Sequence, residues 1–293
     1  MNRLHVLAPG MLTTVQDLGR FGYAHYGISA SGAADPLALR AANLLVGNAE
    51  NAAALEMTLT GGEFTFDSPA VIALAGTDFG ASVPMWQPVE LRAGEILRCP
   101  AARQGARCCL ATRGGLDVPL VMGSASVHVM TGVGGRPLRR GDVLSVGDAA
   151  VRKPRRPAAG IPSRQPTECL RTTAGPQALA LGDELYATTW RVAEESNRMG
   201  IRLKGQALAS PAGQMISEGV ALGAVQVPPD GQPIVLFVEH QTTGGYPKPA
   251  NVISADFWRL GQLRPRDEIR FERATMEAAL ALLRDQEAWL YSL

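Results

Sequence analysis

The segment PIVLFVEHQTTGGYPKPANVISAD, residues 233–256, joins a short apolar run to a polar loop that contains paired glycines. Apolar runs of this length that end at Gly or Pro are typical of β-strands. The glycines allow the backbone to adopt a positive φ or to come very close to a ligand. Polar side chains beside glycines at a strand end therefore predict a binding loop, with an ordinary turn as the alternative.

The same pattern recurs along the chain and predicts a mainly β protein. The chain has 32 glycines and 20 prolines, which separate many short apolar runs. Clear examples of such runs lie at residues 70–76, 94–101, 107–115, 142–147, 223–228 and 233–239. Closely spaced short strands favour barrels or sandwiches over a parallel α/β sheet.

A few helices interrupt the strands. In DPLALRAANLLVGN, residues 35–48, Asp35 and Pro36 form a helix start signal, and Gly47–Asn48 forms a stop. Further helices are predicted near Asp183, after Ser254 and in the C-terminal tail. The apolar residues of the tail recur at helical spacing, which predicts that they pack against the body of the protein. Binding of a partner by this stripe, Met276, Leu280 and Leu283, is the alternative.

The segment VRKPRRPAAGIPSRQP, residues 151–166, contains four prolines and five basic residues. This composition predicts a linker between two β-barrel-like domains, residues 1–150 and 167–293, of which the second ends in a helix. An anion-binding patch is the alternative interpretation of the basic run. The similar segments LRRGDVLSVG and LRPRDEIRFE close the two halves and agree with two β-rich domains.

Composition excludes several classes of partner and site. The formal net charge of +1 over 293 residues gives no reason to expect nucleic acid or an anionic membrane. No apolar run approaches the roughly 20 residues that span a bilayer, and Pro9 and Gly10 interrupt the start of the chain, so a cytoplasmic protein is expected. The phosphate-loop pattern GK[ST] and the nucleophile pattern GxSxG are both absent.

The cysteines and histidines do not predict a metal site. The four cysteines include no CxxC pair, and reduced, mostly buried thiols are expected in this compartment. The four histidines are far apart in sequence, and no HExxH pair occurs.

Four longer segments carry a resemblance to a known family. They are residues 14–48 (TVQDLGRFGYAHYGISASGAADPLALRAANLLVGN), 112–126 (TRGGLDVPLVMGSAS), 196–205 (SNRMGIRLKG) and 216–256, which ends in the segment quoted first. They resemble, in order and over nearly the whole chain, the C subunits of bacterial 5-oxoprolinase. This KipA family is also called the biotin-dependent carboxyltransferase or allophanate hydrolase subunit 2 family.

The resemblance implies a fold, an activity and partners. It implies two cyclophilin-like β-barrel domains with a few short helices. The implied function is to help open 5-oxoproline to L-glutamate at the expense of ATP, together with the A subunit and a KipI-like B subunit of 5-oxoprolinase, with no activity expected of this chain alone. One alternative is a carboxyltransferase that takes biotin from another chain, since no lysine follows a methionine here. A regulatory protein that binds a KipI-like inhibitor is the other.

The chemistry of this reaction indicates which side chains to look for. A lactam is an amide whose carbonyl resists water, and phosphorylation of its oxygen by ATP makes the ring carbon electrophilic. Arginine suits carboxylate and phosphate groups, and backbone N–H groups in glycine turns suit an oxyanion. In the matching segments we predict Arg113, Glu218 and Lys248 as catalytic residues. The predicted substrate-binding residues are Gln16, Asp17, Arg20, Gly114, Gly115, Arg198, Gln241, Thr242, Thr243, Gly244 and Gly245.

Each of these residues also has a purely structural interpretation. Arg20 could form a surface ion pair with Asp17, and Gly114–Gly115 could be only a turn. Glu218 could bond nearby amides instead of acting as an acid or base. His240 stands where the family pattern leads us to expect an arginine or similar residue, which leaves the substrate open.

Overall fold

The computed structural model describes residues 2–148, 151–155, 168–209 and 215–293. Residues 156–166 of the predicted linker lie outside this described part. Strands form 30% and helices 17% of the structure, which confirms the mainly β class with a few short helices.

The first fourteen elements run as follows: β1 (Arg3–Ala8), β2 (Leu12–Gln16), α1 (Pro36–Val46), β3 (Ala54–Thr58), β4 (Glu63–Phe66), β5 (Ala70–Gly76), β6 (Val89–Leu91), β7 (Leu97–Arg98), β8 (Arg107–Thr112), β9 (Leu116–Asp117), β10 (Val143–Val146), β11 (Cys169–Ala174), α2 (Ala178–Ala187) and β12 (Trp190–Val192). The remaining elements are β13 (Gly200–Lys204), β14 (Glu218–Gly219), β15 (Ala224–Gln226), β16 (Ile234–Leu236), β17 (Thr243–Gly244), β18 (Ala250–Val252), α3 (Phe257–Gln262), β19 (Glu268–Arg273) and α4 (Met276–Ser292). Short 3-10 turns occur at Ala24–Tyr26 and Ser254–Asp256.

The chain divides into two compact units. Unit 1 comprises Met1–Arg20, Ser31–Gln165 and Ala288–Leu293, and unit 2 comprises Phe21–Ala30 and Pro166–Glu287. The predicted boundaries, 1–150 and 167–293, therefore assign two short segments to the other half: Ala288–Leu293 belongs to unit 1, and Phe21–Ala30 belongs to unit 2. Those boundaries stay a prediction.

Unit 1 contains two five-stranded sheets, with strand orders β7-β4-β1-β10-β9 and β2-β3-β8-β5-β6. Side chains alternate between the two faces of a strand, so one face of each sheet supplies the core. Leu4 and Phe64 from the first sheet join Leu55, Met57 and Leu110 from the second in one hydrophobic cluster. This shared core holds unit 1 together.

Helix α1 begins and ends where the sequence predicts. The side chain of Asp35 accepts a hydrogen bond from the backbone N–H of Ala38 (2.8 Å), and Pro36 occupies the first turn. Gly47 ends the helix at a φ of 84°, in the left-handed region that glycine adopts at little cost. The helix packs against β5 and β8.

Unit 2 contains the closed barrel β11-β18-β15-β16-β13-β12-β19. Parallel pairing of β11 with β19, from Cys169 opposite Arg270 to Thr172 opposite Arg273, closes it. Closure removes exposed strand edges. The fully buried Trp190 donates its indole N–H to the carbonyl of Leu185 (3.0 Å), which satisfies its one polar group. The predicted barrel is confirmed here.

The remaining helix predictions are partly right. The second helix begins at Ala178, before the predicted start near Asp183, and the third follows Ser254 as predicted. The tail is helical, but Met276 and Leu280 are 58% and 44% exposed, so the predicted packing of these two residues is wrong. Helical spacing identifies an apolar stripe, but it cannot show how much surface lies opposite that stripe.

Three of the four cysteines, Cys99, Cys108 and Cys109, are buried. Burial raises the pKa of the Cys99 thiol to about 12, which makes it a poor nucleophile at neutral pH. Within the described ranges, no three His, Cys, Asp or Glu side chains are placed to hold a metal ion. No helix of the described residues is both long and apolar enough to cross a bilayer.

One buried carboxylate connects β11 to the turn before α3. Asp256 is fully buried and accepts hydrogen bonds from the backbone N–H of Arg171 (2.9 Å) and from its guanidinium (2.5 and 3.0 Å). Arg259 lies 2.9 Å from the same carboxylate. Charge-assisted bonds of this kind replace the water that burial removes.

We expect Asp256→Ala to lower the free energy of unfolding by about 3–5 kcal/mol, because it leaves a partly buried guanidinium without its carboxylate. Chemical denaturation measures this change. The matched control is Asp183→Ala. Asp183 also pairs with an arginine at 2.5 Å, Arg273, but its side chain is 99% exposed, so almost no change is expected. Equal effects of the two substitutions would contradict the assigned role of burial.

Candidate functional site

The predicted binding loop of unit 2 contains a buried lysine. Lys248 Nζ lies 2.5 Å from Glu218 Oε1, and the lysine side chain is only 6% exposed whereas that of Glu218 is 50% exposed. The ammonium also lies 3.5 Å from the carbonyl of Tyr246. This places two of the three predicted catalytic residues in direct contact.

The backbone of Lys248 is anchored by the segment that precedes α2. Its N–H donates to Gln177 Oε1 (2.7 Å), and its carbonyl accepts from the N–H of Gln177 (3.2 Å). A Cβ on Gly175 would lie 2.1 Å from the same carbonyl, so this close approach requires glycine. The lysine therefore projects from a fixed backbone.

Strand β17 pairs with β14 and places the QTTGG sequence beside Glu218. Glu218 is opposite Gly244, and Gly219 is opposite Thr243. In the part of the chain that the structure describes, neither Thr242 nor Thr243 uses its hydroxyl in a hydrogen bond. Both hydroxyls are therefore available to a ligand, and the predicted role of Thr242 and Thr243 in substrate binding stays a prediction.

The paired glycines lie very close to neighbouring residues, and their backbone angles are ordinary. Neither Gly244 nor Gly245 has a positive φ. A Cβ on Gly244 would lie 2.4 Å from Gln226 Nε2, and one on Gly245 would lie 3.0 Å from the carbonyl of Met215. The positive φ that the sequence left open is thus not adopted, and the close contacts of both glycines are with other residues of this chain, so close approach to a ligand stays a prediction.

Sequence reasoning missed Gln226. This residue ends β15, is 1% exposed and accepts a hydrogen bond through Oε1 from Gln241 Nε2 (3.1 Å). Its own Nε2 is buried and has no hydrogen-bond partner among the described residues. A glutamine inside the apolar run GAVQVP was the available signal, because a buried polar group is more informative than an exposed apolar one.

Arg198 pairs with Glu239, the first residue of the predicted loop. Both side chains are buried, Arg198 Nε donates to Glu239 Oε1, and the backbone N–H of Glu239 donates to the carbonyl of Arg198 (2.8 Å). This contact favours a structural role for Arg198 in holding the loop. His240 follows, and burial lowers the pKa of its imidazole, which favours the neutral ring.

The predicted site residues of unit 1 fall into two groups with different contacts. In the first, Asp17 accepts hydrogen bonds from Ser124 Oγ (2.6 Å), Ser126 Oγ (2.5 Å) and the N–H of Ala125 (2.7 Å). Gln16 Nε2 donates to the carbonyl of Val127 (2.9 Å). These bonds hold residues 124–127 against the end of β2.

Arg20 lies in the same group and donates to the carbonyl of Ser126. Arg20 and Asp17 are both buried, so the alternative of a surface ion pair between them is wrong.

The second group surrounds the end of α1. Arg113 Nη1 donates to the carbonyls of Val46 (2.9 Å) and Arg152 (2.7 Å). A cation at this position satisfies a terminal carbonyl of the helix and opposes its dipole. Gly114 has a φ of 93°, and its Cβ would lie 2.1 Å from the carbonyl of Gly147. Gly115 follows with a φ of 74°. These contacts favour the structural interpretation of all three residues.

Comparison with known proteins places the chain in a family. Residues 26–273 match the family model described as carboxyltransferase domain, subdomain A and B. The chain is 39% identical to the C subunit of 5-oxoprolinase from Escherichia coli, over 99% of this chain and 97% of that protein. It is 38% identical to the protein of the same name from Haemophilus influenzae, over 94% and 93% of the two chains.

A solved structure extends the comparison. The crystal structure of the K. lactis urea amidolyase superposes with a TM-score of 0.89 at 31% identity, covering 98% of this chain and 20% of that chain. Its fold match therefore involves one part of a much longer protein. The family model covers most of this chain, and both 5-oxoprolinase C subunits align with this chain along nearly their whole length. The chain therefore belongs to the carboxyltransferase-domain family with subdomains A and B.

Proposed function

We propose that this chain is the C subunit of an ATP-dependent 5-oxoprolinase, a cytoplasmic complex with an A and a B subunit that opens 5-oxoproline to L-glutamate. The observation that carries the proposal is the 39% identity to the E. coli protein over almost the full length of both chains. The Lys248–Glu218 contact supports it independently, because it offers a cation and a carboxylate within one small polar site.

The substrate explains why such a pair is useful. 5-Oxoproline carries a carboxylate beside a lactam, and a buried ammonium binds a carboxylate more strongly than an exposed one does. Lys248 holds that carboxylate, while Thr242 and Thr243 donate hydroxyl hydrogen bonds to oxygens of the ring or of the phosphate. ATP supplies the activation of the lactam oxygen as a phosphate ester.

Glu218 acts next to Lys248 as the acid or base. Its side chain is half exposed, so it can reach a water molecule and accept a proton as that water attacks the activated ring carbon. Breaking the ring C–N bond then leaves γ-glutamyl phosphate and an amine, and the same carboxyl group can return the proton to that amine. A second water molecule hydrolyses the acyl phosphate to glutamate and inorganic phosphate. Backbone N–H groups of the glycine segment stabilise charge on oxygen.

A second candidate function is carboxyl transfer to a urea-like amide, with carboxybiotin from another chain as donor. The similarity to the K. lactis urea amidolyase structure favours it. The same Lys248–Glu218 site would serve, since carboxyl transfer also requires an oxyanion to be stabilised and a proton to be removed from an amide nitrogen.

Reconstitution tests the proposed function. The chain alone is expected to release no glutamate from 5-oxoproline and ATP, since no self-contained catalytic motif occurs in it. Addition of the B and A subunits is expected to create turnover, measured as glutamate and inorganic phosphate released in equal amounts. Full turnover by the isolated chain would contradict the requirement for partner subunits. Biotin-dependent carboxylation by the assembled complex would favour the second function.

In the reconstituted complex, we expect Lys248→Ala to lower kcat/KM for 5-oxoproline by about ten- to a hundredfold. A hydrogen bond to a charged group contributes roughly 1.5–3 kcal/mol, and about 1.4 kcal/mol corresponds to a factor of ten. Steady-state kinetics measures the effect, with thermal melting to confirm folding.

The matched control is Lys204→Ala. Lys204 forms a surface ion pair with Glu195 (3.2 Å) in the same unit, so its loss is expected to leave kcat/KM unchanged. If Lys248→Ala behaves like this control, Lys248 does not belong to the site.

A further inference from the structure

Lys248 and Glu218 are unequally buried, although they form one ion pair. The lysine side chain is 6% exposed, and the glutamate side chain is 50% exposed. An anion from solution therefore cannot reach the ammonium while Glu218 occupies it, whereas Glu218 can turn into water at small cost. In this arrangement the protein's own carboxylate fills a position that suits a carboxylate ligand.

The segment that covers this position is weakly held. Strands β14 and β17 are two residues each, with Glu218 opposite Gly244 and Gly219 opposite Thr243. The neighbouring N–H of Val220 donates to the carbonyl of Thr242 (3.1 Å). Such short pairing contributes little stability by itself. Loss of the Glu218–Lys248 bond would therefore loosen the pairing of β14 with β17.

Beneath β17 lies a polar group that this cover leaves unsatisfied. Gln226 Nε2 is buried against Gly244 and has no hydrogen-bond partner in the described chain. A buried amide donor without a partner carries a free-energy cost, which an incoming oxygen can relieve. Gln226 also lies near the lysine segment, because the N–H of the next residue, Val227, donates to the carbonyl of Pro247 (3.0 Å).

We propose that the carboxylate of the small-molecule ligand displaces Glu218 from Lys248, and that Gln226 Nε2 then donates to an oxygen of the same ligand. Gln226 is thus a further binding residue, and Glu218 is an internal competitor that the ligand releases for proton transfer. The inference rests on the proposed function for the identity of the ligand. It gives Glu218 two opposite effects, since this residue opposes binding and promotes turnover.

The first test compares Glu218→Gln with the wild-type protein in the reconstituted complex without ATP. Loss of the competing charge is expected to tighten 5-oxoproline binding by about two- to fivefold, the range expected for a partly exposed ion pair. Binding of 2-pyrrolidinone, which has the lactam but no carboxylate, is expected to stay the same. With ATP, glutamate formation is expected to fall. Unchanged or weaker 5-oxoproline binding by Glu218→Gln would overturn the competition.

The second test needs no assumption about the substrate. Acetic anhydride acetylates exposed amines, and mass spectrometry of the full chain measures the rate at each lysine. Glu218→Gln is expected to raise acetylation of Lys248 by about two- to fivefold, the same range as for ligand binding, and to leave Lys204 unchanged. Glu195→Gln, which removes the surface partner of Lys204, is the matched control and is expected to leave Lys248 unchanged. No rise at Lys248 overturns the inference, whatever the complex binds.

Protection from acetylation identifies the anion. 5-Oxoproline is expected to slow acetylation of Lys248 in the complex, and inorganic phosphate is expected to have no effect. Protection by phosphate alone would assign the lysine to a phosphoryl group and overturn the carboxylate. If wild-type complex binds no 5-oxoproline while Glu218→Gln still exposes Lys248, the proposed function fails and the competition by Glu218 stands.

Gln226→Leu tests the second donor. It keeps the approximate size of the side chain but removes the amide, so 5-oxoproline binding is expected to weaken by about three- to tenfold. Gln232→Leu is the control, because among the described residues the Gln232 side chain bonds only the backbone of Gly205 (3.0 and 3.3 Å). Thermal melting verifies that both variants fold. Equal binding by the Gln226 and Gln232 variants would remove Gln226 from the site.

Discussion

The parallel pairing of β11 with β19 is the constraint on which the site in unit 2 depends. It closes a barrel of seven strands whose members come from distant parts of the sequence. In this barrel β15 and β18 are antiparallel neighbours, with Val225 opposite Ala250. The end of β15, at Gln226, and the residues just before β18, which include Lys248, then lie at the same end of the barrel. The lysine loop is positioned in this way by the pairing of strands that do not contain the lysine.

Closure also explains why the buried polar groups of the barrel need partners. A barrel interior excludes water, so each charge or amide near it needs a protein partner or a ligand. Asp256 has several partners, and Arg198 and Glu239 pair with each other. Gln226 Nε2 has none among the described residues, and Lys248 has a partner that is half in water. The hydrogen-bonding groups of the candidate site are therefore less completely paired than Asp256 or the Arg198–Glu239 contact of the same unit.

Two of the predicted residues of unit 1, Asp17 and Arg113, show the opposite pattern. Asp17 accepts three hydrogen bonds from residues 124–126, and Arg113 donates to two backbone carbonyls. Family motifs contain such residues as readily as ligand-binding ones, because a loop that must keep its shape needs the same charged and glycine residues as a loop that binds. Motif membership alone does not separate the two roles, and a buried unpartnered atom alone does not either, since Gln16 Oε1 of unit 1 also lacks a hydrogen-bond partner among the described residues.

The sequence alone determined the mainly β class, the capped helix α1 and the binding loop as a candidate, since strand length, helix caps and glycine pairs are local properties. Spacing along the chain also predicted the strand β5 with its observed bounds, Ala70–Gly76. The tertiary structure decided the rest. It brought Glu218 to Lys248 across 30 residues, buried Gln226 beneath Gly244, and left Met276 exposed. These outcomes depend on which segments come into contact in the folded chain. A local sequence pattern does not predict them, because burial and charge pairing arise only when segments that are distant in sequence pack against one another.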